Sequence, residues 1–565
     1  MRWLRAIAVW VLLVAAPRLV GSVDASGIGP AQAVGPGAAQ AIRALIDGER
    51  HPLLGSLTPG DRQQLTALYA PGADALMWVD LAGRPNCDAR TALTLLNGAR
   101  AEGLDPANYD AATLAGWAAQ LDTAPGTVPN VTAFDVLLSL KTLFYFRQLH
   151  AGRVDPRTIG FRMTVPADDD NLVALLRAAR GSHRIAAAAA DLAPPLALYR
   201  RLRGTLARYR SLAADPASDW APPALGAAVH PGQRYPEIRA LHRRLRALGD
   251  VPEDAPAPAE GAPYDAVLAD GVTRFQTRHG LQADGVIGHA TQAALRVPLS
   301  WRVRQIELAM ERLRWLPHLG EQRFLAVNIP MFRLWAWDRM SASGAPSFGT
   351  GVIVGRALNT QTPVFVEEMR DIIFRPYWNV PSSILRHEIL PSLVRDPDYL
   401  QRHDMEVVSG QSDAAGIVAL SAETMAGLRN GQLRVRQRPG PKNALGLVKF
   451  VFPNDSNIYL HGTPVPELFS RARRDFSHGC VRVEDPVALA EWALQDQPEW
   501  TRDRILAAMN DNTSRRVHLP QPITVILFYI TAVVTPEDDL IYFAEDLYGH
   551  DGRLDRALAR IGVPR

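Results

Sequence analysis

Near Arg323 the hydrophobic pattern of this chain changes its period, and that change restricts the fold more than any other feature. Ahead of it, apolar residues recur at helical spacing. Phe134, Leu137, Leu138, Leu140, Leu143 and Phe144 make one broad apolar face, and Leu198, Leu202, Leu206 and Tyr209 make another. Residues 26–221 are therefore expected to be a helical scaffold. After a Pro/Gly/Ala-rich stretch from Pro222 to Gly232, Ile238, Leu241, Leu245 and Leu248 predict one amphipathic helix. Leu268, Val272 and Phe275 predict a second, and Thr291 to Leu295 a short third. These form a small three-helix unit over 230–297.

Beyond Arg323 the pattern is that of strands. Phe324–Ile329 and Phe332–Trp337 read as a hairpin turned at Pro330-Met331. Short strands follow at Gly351–Gly355, Thr362–Phe365 and Asp371–Phe374. A polar, proline-punctuated section over 382–442 interrupts them, and its helical pieces (Ile384 to Leu393) suggest an inserted lid. Strands resume at Gly446–Phe452, Asn457–Leu460, Ile523–Val534 and Leu540–Phe543. The expectation is a multidomain α+β protein with a β-rich domain over 298–535 and a C-terminal extension over 536–565.

A length of 565 residues calls for two to four domains, and a 47% apolar content lets most of it fold. Basic and acidic residues nearly cancel, 61 against 58, which gives no reason to expect nucleic acid as a partner. Arg2 and Arg5 precede an apolar run from Ala6 to Ala16, followed by small residues, as in an export leader over 1–25. An uncleaved N-terminal anchor is the alternative, and would be the only membrane attachment. Two cysteines, Cys87 and Cys480, are too few for a disulfide framework, although a single Cys87–Cys480 bridge stays open.

The window that carries chemistry is Ile458-Tyr-Leu-His-Gly-Thr-Pro464 with Ser477-His-Gly-Cys-Val-Arg482. A cysteine attacks as its thiolate and so needs a base or a positive field nearby. His461 ends an expected strand and could present its imidazole at the rim of a sheet. Cys480 follows Gly479 in a small-residue turn, ahead of an expected helix from Pro486 through Leu494. The glycine bares backbone N–H groups that could hold an oxyanion, a contribution of about 3–4 kcal/mol per donor. His478 adjoins the nucleophile, but neighbours in a strand or turn point apart, so His461 is the better base and His478 a supporting residue. A zinc site is weighed against this. Cys480, His478 and His461 supply at most three ligands and match no zinc spacing.

The catalytic window resembles the signature of the L,D-transpeptidase (YkuD) family, in which a histidine lies shortly before a Ser/Thr-His-Gly-Cys block. Pro376-Tyr-Trp-Asn-Val-Pro381, Asn443-Ala-Leu-Gly446, Lys449-Phe450, Thr531-Ala532 and Leu104-Asp-Pro106 with Tyr109 extend the resemblance to the large YcbB-type branch. Phe275-Gln276, Gly280-Leu281, Asp284-Gly285, Gly288, Thr291 and Leu295 resemble a peptidoglycan-binding module. That match departs from the pattern at His242 and in a Pro/Ala-rich insert over Val251–Pro263.

The resemblance implies that Cys480 attacks, His461 takes its proton, the Gly462 carbonyl orients the imidazole, and the N–H groups of Gly479 and Cys480 form the oxyanion hole. His478, Ser477 and Arg482 would shape the site, with Arg482 available to a substrate carboxylate. Tyr459, Trp378 and Asn379 would line the donor groove under the 382–442 cap. The implied reaction is formation of 3→3 cross-links from a tetrapeptide donor through a Cys480 thioester, a step that carbapenems would intercept. Water or a lipoprotein lysine is an alternative acceptor. No cofactor or metal is implied. Expected partners are peptidoglycan stem peptides and glycan, together with other wall-synthesis proteins, and the expected location is the periplasm.

Overall fold

Strands that alternate apolar and polar side chains bury one face only, and here they do so by closing on themselves. The computed structural model describes residues 36–48, 57–70, 76–124, 127–163, 169–216, 220–222, 226–317, 319–320, 322–341, 343–358, 360–410 and 415–561. The expected leader, 1–25, lies outside the described residues. The strands run β1 (Phe324–Asn328), β2 (Arg333–Trp337), β3 (Phe348–Gly355), β4 (Phe365–Phe374), β5 (Trp378–Asn379), β6 (Met405–Ser409), β7 (Gly416–Val418) and β8 (Arg434–Gln437). They continue with β9 (Val448–Val451), β10 (Leu460–His461), β11 (Asp475–Ser477), β12 (Val481–Val483), β13 (Arg515–Phe528), β14 (Ala532–Val534) and β15 (Ile541–Phe543). The main sheet has the order β11-β3-β12-β10-β9-β4-β13-β1-β2, and a β2–β3 pairing joins its ends. The strands from β3 round to β2 thus form a barrel, with β11 added parallel to β3.

Two strands differ from the expectation. β4 is continuous from Phe365 to Phe374, because Glu367, Glu368 and Arg370 of its polar middle stay out of the core while Met369 is buried. The expected strand Ile523–Val534 is two elements: β13 begins earlier, at Arg515, and ends at Phe528, and Ala532–Val534 is β14 in a separate sheet with β15. Pro520 and Pro522 fall inside a register shift between His518 and Ile523, so no ladder hydrogen bond is demanded of them.

The apolar side chains gather in three cores. One lies wholly within the N-terminal helices and runs from Ile42 to Ala189. A second joins the barrel, the three-helix unit and the helix Ala197–Ala214 through Tyr199, Leu202, Leu206 and Tyr209. Val154, Ile159, Phe161 and Met163 also pack in this second core, while Leu172 to Ala189 return to the first, so the two cores interleave along the expected scaffold segment. The three-helix unit (Ile238–Leu248, Ala266–Arg278, His289–Leu295) shares its core with the barrel and does not hang from a tether. Residues 536–561 are also integral. β15 pairs with β14, and the helix His550–Ile561 docks on the helix Leu299–Leu313 through Arg312 and Asp551, whose side chains are both fully buried. Removing one member of such a pair leaves the other charge stranded, at a cost of about 3–5 kcal/mol.

The insert has the third core, built from residues such as Val380, Ile384, Leu393, Val407 and Val435. Its helical segments cover Ser382–Arg395, as the pattern suggests. It also carries a sheet of its own, β5-β8-β6-β7, which reaches back to Trp378 and so begins before residue 382.

Candidate active site

Parallel pairing of β10 with β12 sets Leu460 beside Val481 and His461 beside Arg482. Because side chains alternate along a strand, Leu460, Val481 and Val483 enter the barrel core. Tyr459, His461, Cys480 and Arg482 share the opposite face. The antiparallel neighbour β9 adds Lys449, which lies across from His461. Its Nζ sits 3.7 Å from the centre of the Tyr459 ring, and the Tyr459 and His461 rings are 5.7 Å apart.

His461 is buried, and its Nδ1 donates to the Gly462 carbonyl at 2.6 Å. That bond leaves the lone pair on Nε2. Burial first, then the charges of Arg482 and Lys449, hold the imidazole neutral, its pKa pulled down to about 3. The roof over the ring is the loop Asn443-Ala-Leu-Gly446. Gly446 has φ +65, and a Cβ there would come within 2.6 Å of the Thr463 nitrogen, so only glycine permits the approach. Asn443 fixes this loop. Its Nδ2 donates to the Pro376 and Arg438 carbonyls at 3.1 and 2.9 Å, and its Oδ1 accepts from Leu445 N–H at 2.8 Å. The residues that enter and leave the cap are thus tied together above the histidine.

Cys480 is half-buried, and both it and the exposed Cys87 are free thiols, so the two are not bridged. Its thiol points to the Asn457 carbonyl at 3.7 Å. Burial pushes its pKa up, while bonding from Tyr459 and the charges of Lys449 and Arg482 oppose that rise. The resting pair is therefore a thiol and a neutral imidazole, with cations waiting to stabilise the thiolate as it forms. The Ser477–Cys480 turn is closed from within: Ser477 Oγ donates to the Cys480 carbonyl at 2.5 Å and accepts from Gly479 N–H at 3.1 Å. Gly479, at φ +112, adopts a backbone that disfavours any side chain. Its carbonyl accepts from Thr362 Oγ1 at 2.7 Å.

This changes one expectation. The Gly479 N–H is occupied by Ser477 and is not free for an oxyanion. The Cys480 N–H has no hydrogen-bond partner among the described residues and remains the available donor. His478 meets Glu388 of the cap, Nε2 to Oε1 2.6 Å. Arg482 has a buried Nε without a hydrogen-bond partner among the described residues. Trp378 packs on the cap's core, and its hydrogen bonding reaches Tyr459. Asn379 is exposed and accepts from Arg434 within the cap's sheet. It belongs to the cap and does not reach the Cys480 face through any hydrogen bond among the described residues.

Residues 322–511 match the family described as "L,D-transpeptidase catalytic domain" (YkuD). The barrel carries a YkuD-type L,D-transpeptidase catalytic domain. Residues 63–206 match the family "Scaffold domain", and 234–295 match "Putative peptidoglycan binding domain". A curated Haemophilus influenzae protein named "Putative L,D-transpeptidase" is 31% identical over 256 residues, covering 45% of this chain and 49% of that protein. The chain thus spans about half the length of the curated relative it matches. This YkuD domain with its scaffold and peptidoglycan-binding partners belongs to the cell envelope, and no helix among the described residues is long and apolar enough to cross a membrane.

The YkuD domain also brings to the site residues that carry no assignment in the motif itself. Asn457 and Thr362 hold the thiol and its turn, Lys449 shapes the field, and Glu388 comes from the cap. Lys449 alone had a signal, as part of Lys449-Phe450.

Proposed function

We propose that this chain is a periplasmic peptidoglycan L,D-transpeptidase acting through a Cys480 thioester. The observation that carries the reading is the common face of β10 and β12, where a neutral imidazole and a free thiol stand near the charges of Arg482 and Lys449 beneath a cap. Cys480 attacks the carbonyl carbon of the third residue of a tetrapeptide stem while its proton passes to His461 Nε2. The Cys480 N–H, with help from the cationic face, stabilises the oxyanion. As the tetrahedral intermediate collapses, the bond to the terminal D-alanine breaks and the imidazolium returns the proton to the departing amine. The side-chain amine of a neighbouring stem then attacks the thioester. Its proton goes by way of His461 to the leaving sulfur, which restores the thiol and completes a 3→3 cross-link.

Arg482 is suited to a substrate carboxylate, since its guanidinium has bonding capacity to spare. Tyr459 and Trp378 are suited to line the donor groove. The cap, tied to the nucleophile's neighbour by His478–Glu388, limits water and favours an amine acceptor. Incubation with tetrapeptide-rich sacculi, followed by mass spectrometry of the released muropeptides, tests this reading. Dimers cross-linked between third residues are expected from the wild type and none from Cys480→Ala. Dimers from both would refute the thioester, and shortened stems without dimers would make the enzyme a carboxypeptidase.

A further inference from the structure

We propose that Cys87, Asp88 and His183 form a divalent-metal site of the zinc class on the helical scaffold. Cys87 is the first residue of the helix Cys87–Asn97, which Asn86 caps through its bond from Ala89 N–H. His183 lies in the turn between the helices Asp169–Gly181 and Ile185–Leu192, with φ +55. The fold brings these segments together so that the sulfur, one imidazole nitrogen and a carboxylate oxygen all lie within 4.8 Å of one another.

The spacing fits a metal. His183 Nδ1 is 3.6 Å from Cys87 Sγ and 2.9 Å from Asp88 Oδ2. Zinc–sulfur and zinc–nitrogen bonds of about 2.3 and 2.0 Å at a tetrahedral angle separate sulfur from nitrogen by about 3.5 Å. The sulfur and nitrogen therefore already stand at ligand spacing, and the nitrogen–carboxylate separation has to open by a few tenths of an ångström. Both charged ligands are monoanions when bound, so thiolate and carboxylate together match a dication.

The same distances argue against a second nucleophile. A relay of cysteine, histidine and carboxylate uses one ring nitrogen for the sulfur and the other for the acid. Here sulfur and carboxylate converge on the same Nδ1, which is how groups surround a shared cation. A metal bound there would leave the ring proton on Nε2, with the thiol proton released to solvent. Asp88 adds a separate reason. Its side chain is only 5% exposed, and His183 supplies the one hydrogen bond to its carboxylate among the described residues. An anion buried to that degree is under-compensated by a single imidazole. Cys87 and His183 are both exposed, so the fourth position would face solvent and take water.

The test uses the untagged full-length protein carrying Cys480→Ala, so that the other thiol cannot contribute. After dialysis against zinc and removal of excess ion, elemental analysis should find one zinc per chain. Cobalt(II) should give a sulfur-to-metal charge-transfer band. Adding Cys87→Ser should abolish the band and weaken zinc binding by at least about tenfold. His183→Gln, at an exposed position, should do the same and guards against a folding defect in the cysteine variant. Thermal unfolding in chelator should not separate the three proteins. Absence of retained zinc, or zinc affinity unaltered by either substitution, overturns the site.

Discussion

Each of the two cysteines in this chain has a histidine as its neighbour, and the two pairs differ in the charge that completes them. At Cys480 the imidazole of His461 gives its Nδ1 proton to a neutral carbonyl, and the charges around it are Lys449 and Arg482. Such surroundings reject a cation and lower the basicity of the ring, which leaves an uncharged base facing a positive field. At Cys87 the imidazole of His183 meets the buried carboxylate of Asp88, surroundings that attract a cation. On the two proposals made above, identical residue types serve proton transfer in the barrel and ligation in the scaffold. The deciding factor is the sign of the third partner.

The largest effect is expected at the barrel pair. Cys480→Ala should lose turnover by about 10⁴-fold or more and form no adduct with a carbapenem, as read by intact-protein mass spectrometry. Cys87→Ala should leave both unchanged. An adduct on Cys480→Ala would erase the contrast between the two thiols.

His461→Gln should cost about 10²–10⁴-fold in turnover, because a base is lost while a polar group of similar size remains. His183→Gln should cost nothing in turnover.

The pH dependence comes next. His461 has a folded pKa of about 3, below the usual histidine value near 6.5. The neutral base is therefore kept on acidification, and kcat/KM should show no acid limb near 6.5, falling only well below pH 5. The same shift makes folding stability from this residue complete above the unfolded pKa and lost as pH falls toward the folded one. A sharp acid limb at 6.5 in a pH–rate profile would show that the ring is not held neutral.

Lys449→Met removes one of the two cations. The thiol pKa should rise and the His461 pKa should recover toward its ordinary value, measurable as a basic shift in the pH profile of alkylation by iodoacetamide. About a tenfold loss in alkylation rate at neutral pH corresponds to one pKa unit.

The smallest effect is expected for Glu388→Gln. The His478–Glu388 pair is partly exposed, so its contribution is about 1 kcal/mol at most. The ratio of hydrolysed to cross-linked product should rise several-fold at most, with the rate of acylation little changed.

Much of this was readable along the chain because it is local. The helices Ile238–Leu248 and Pro486–Leu494 follow from periodicity and from Pro486 at the first helical position. Cys480 and His461 follow from glycines and histidines set a few residues apart. The sheet of the cap is not legible in the sequence because Met405–Ser409 and Arg434–Gln437 are short and alternate with charge, which reads as a polar loop until a second strand pairs with it. The start of β13 was hidden by Pro520 and Pro522, whose cost vanishes only once a register shift places them between ladder bonds.

Chain order and residue type were enough to establish a helical half and a strand half and to single out a candidate cysteine–histidine pair, since those depend on hydrophobic period and on motifs a few residues long. The groups that set the properties of the two cysteines come from far along the chain. Asn457 reaches Cys480 across 23 residues, Glu388 reaches His478 across 90, and His183 reaches Asp88 across 95. Contacts of that kind exist only after barrel closure, cap docking and helix packing have removed water between them. Burial and electrostatic sign, which make one histidine a base and leave the other beside an anion, are therefore properties of the packed molecule.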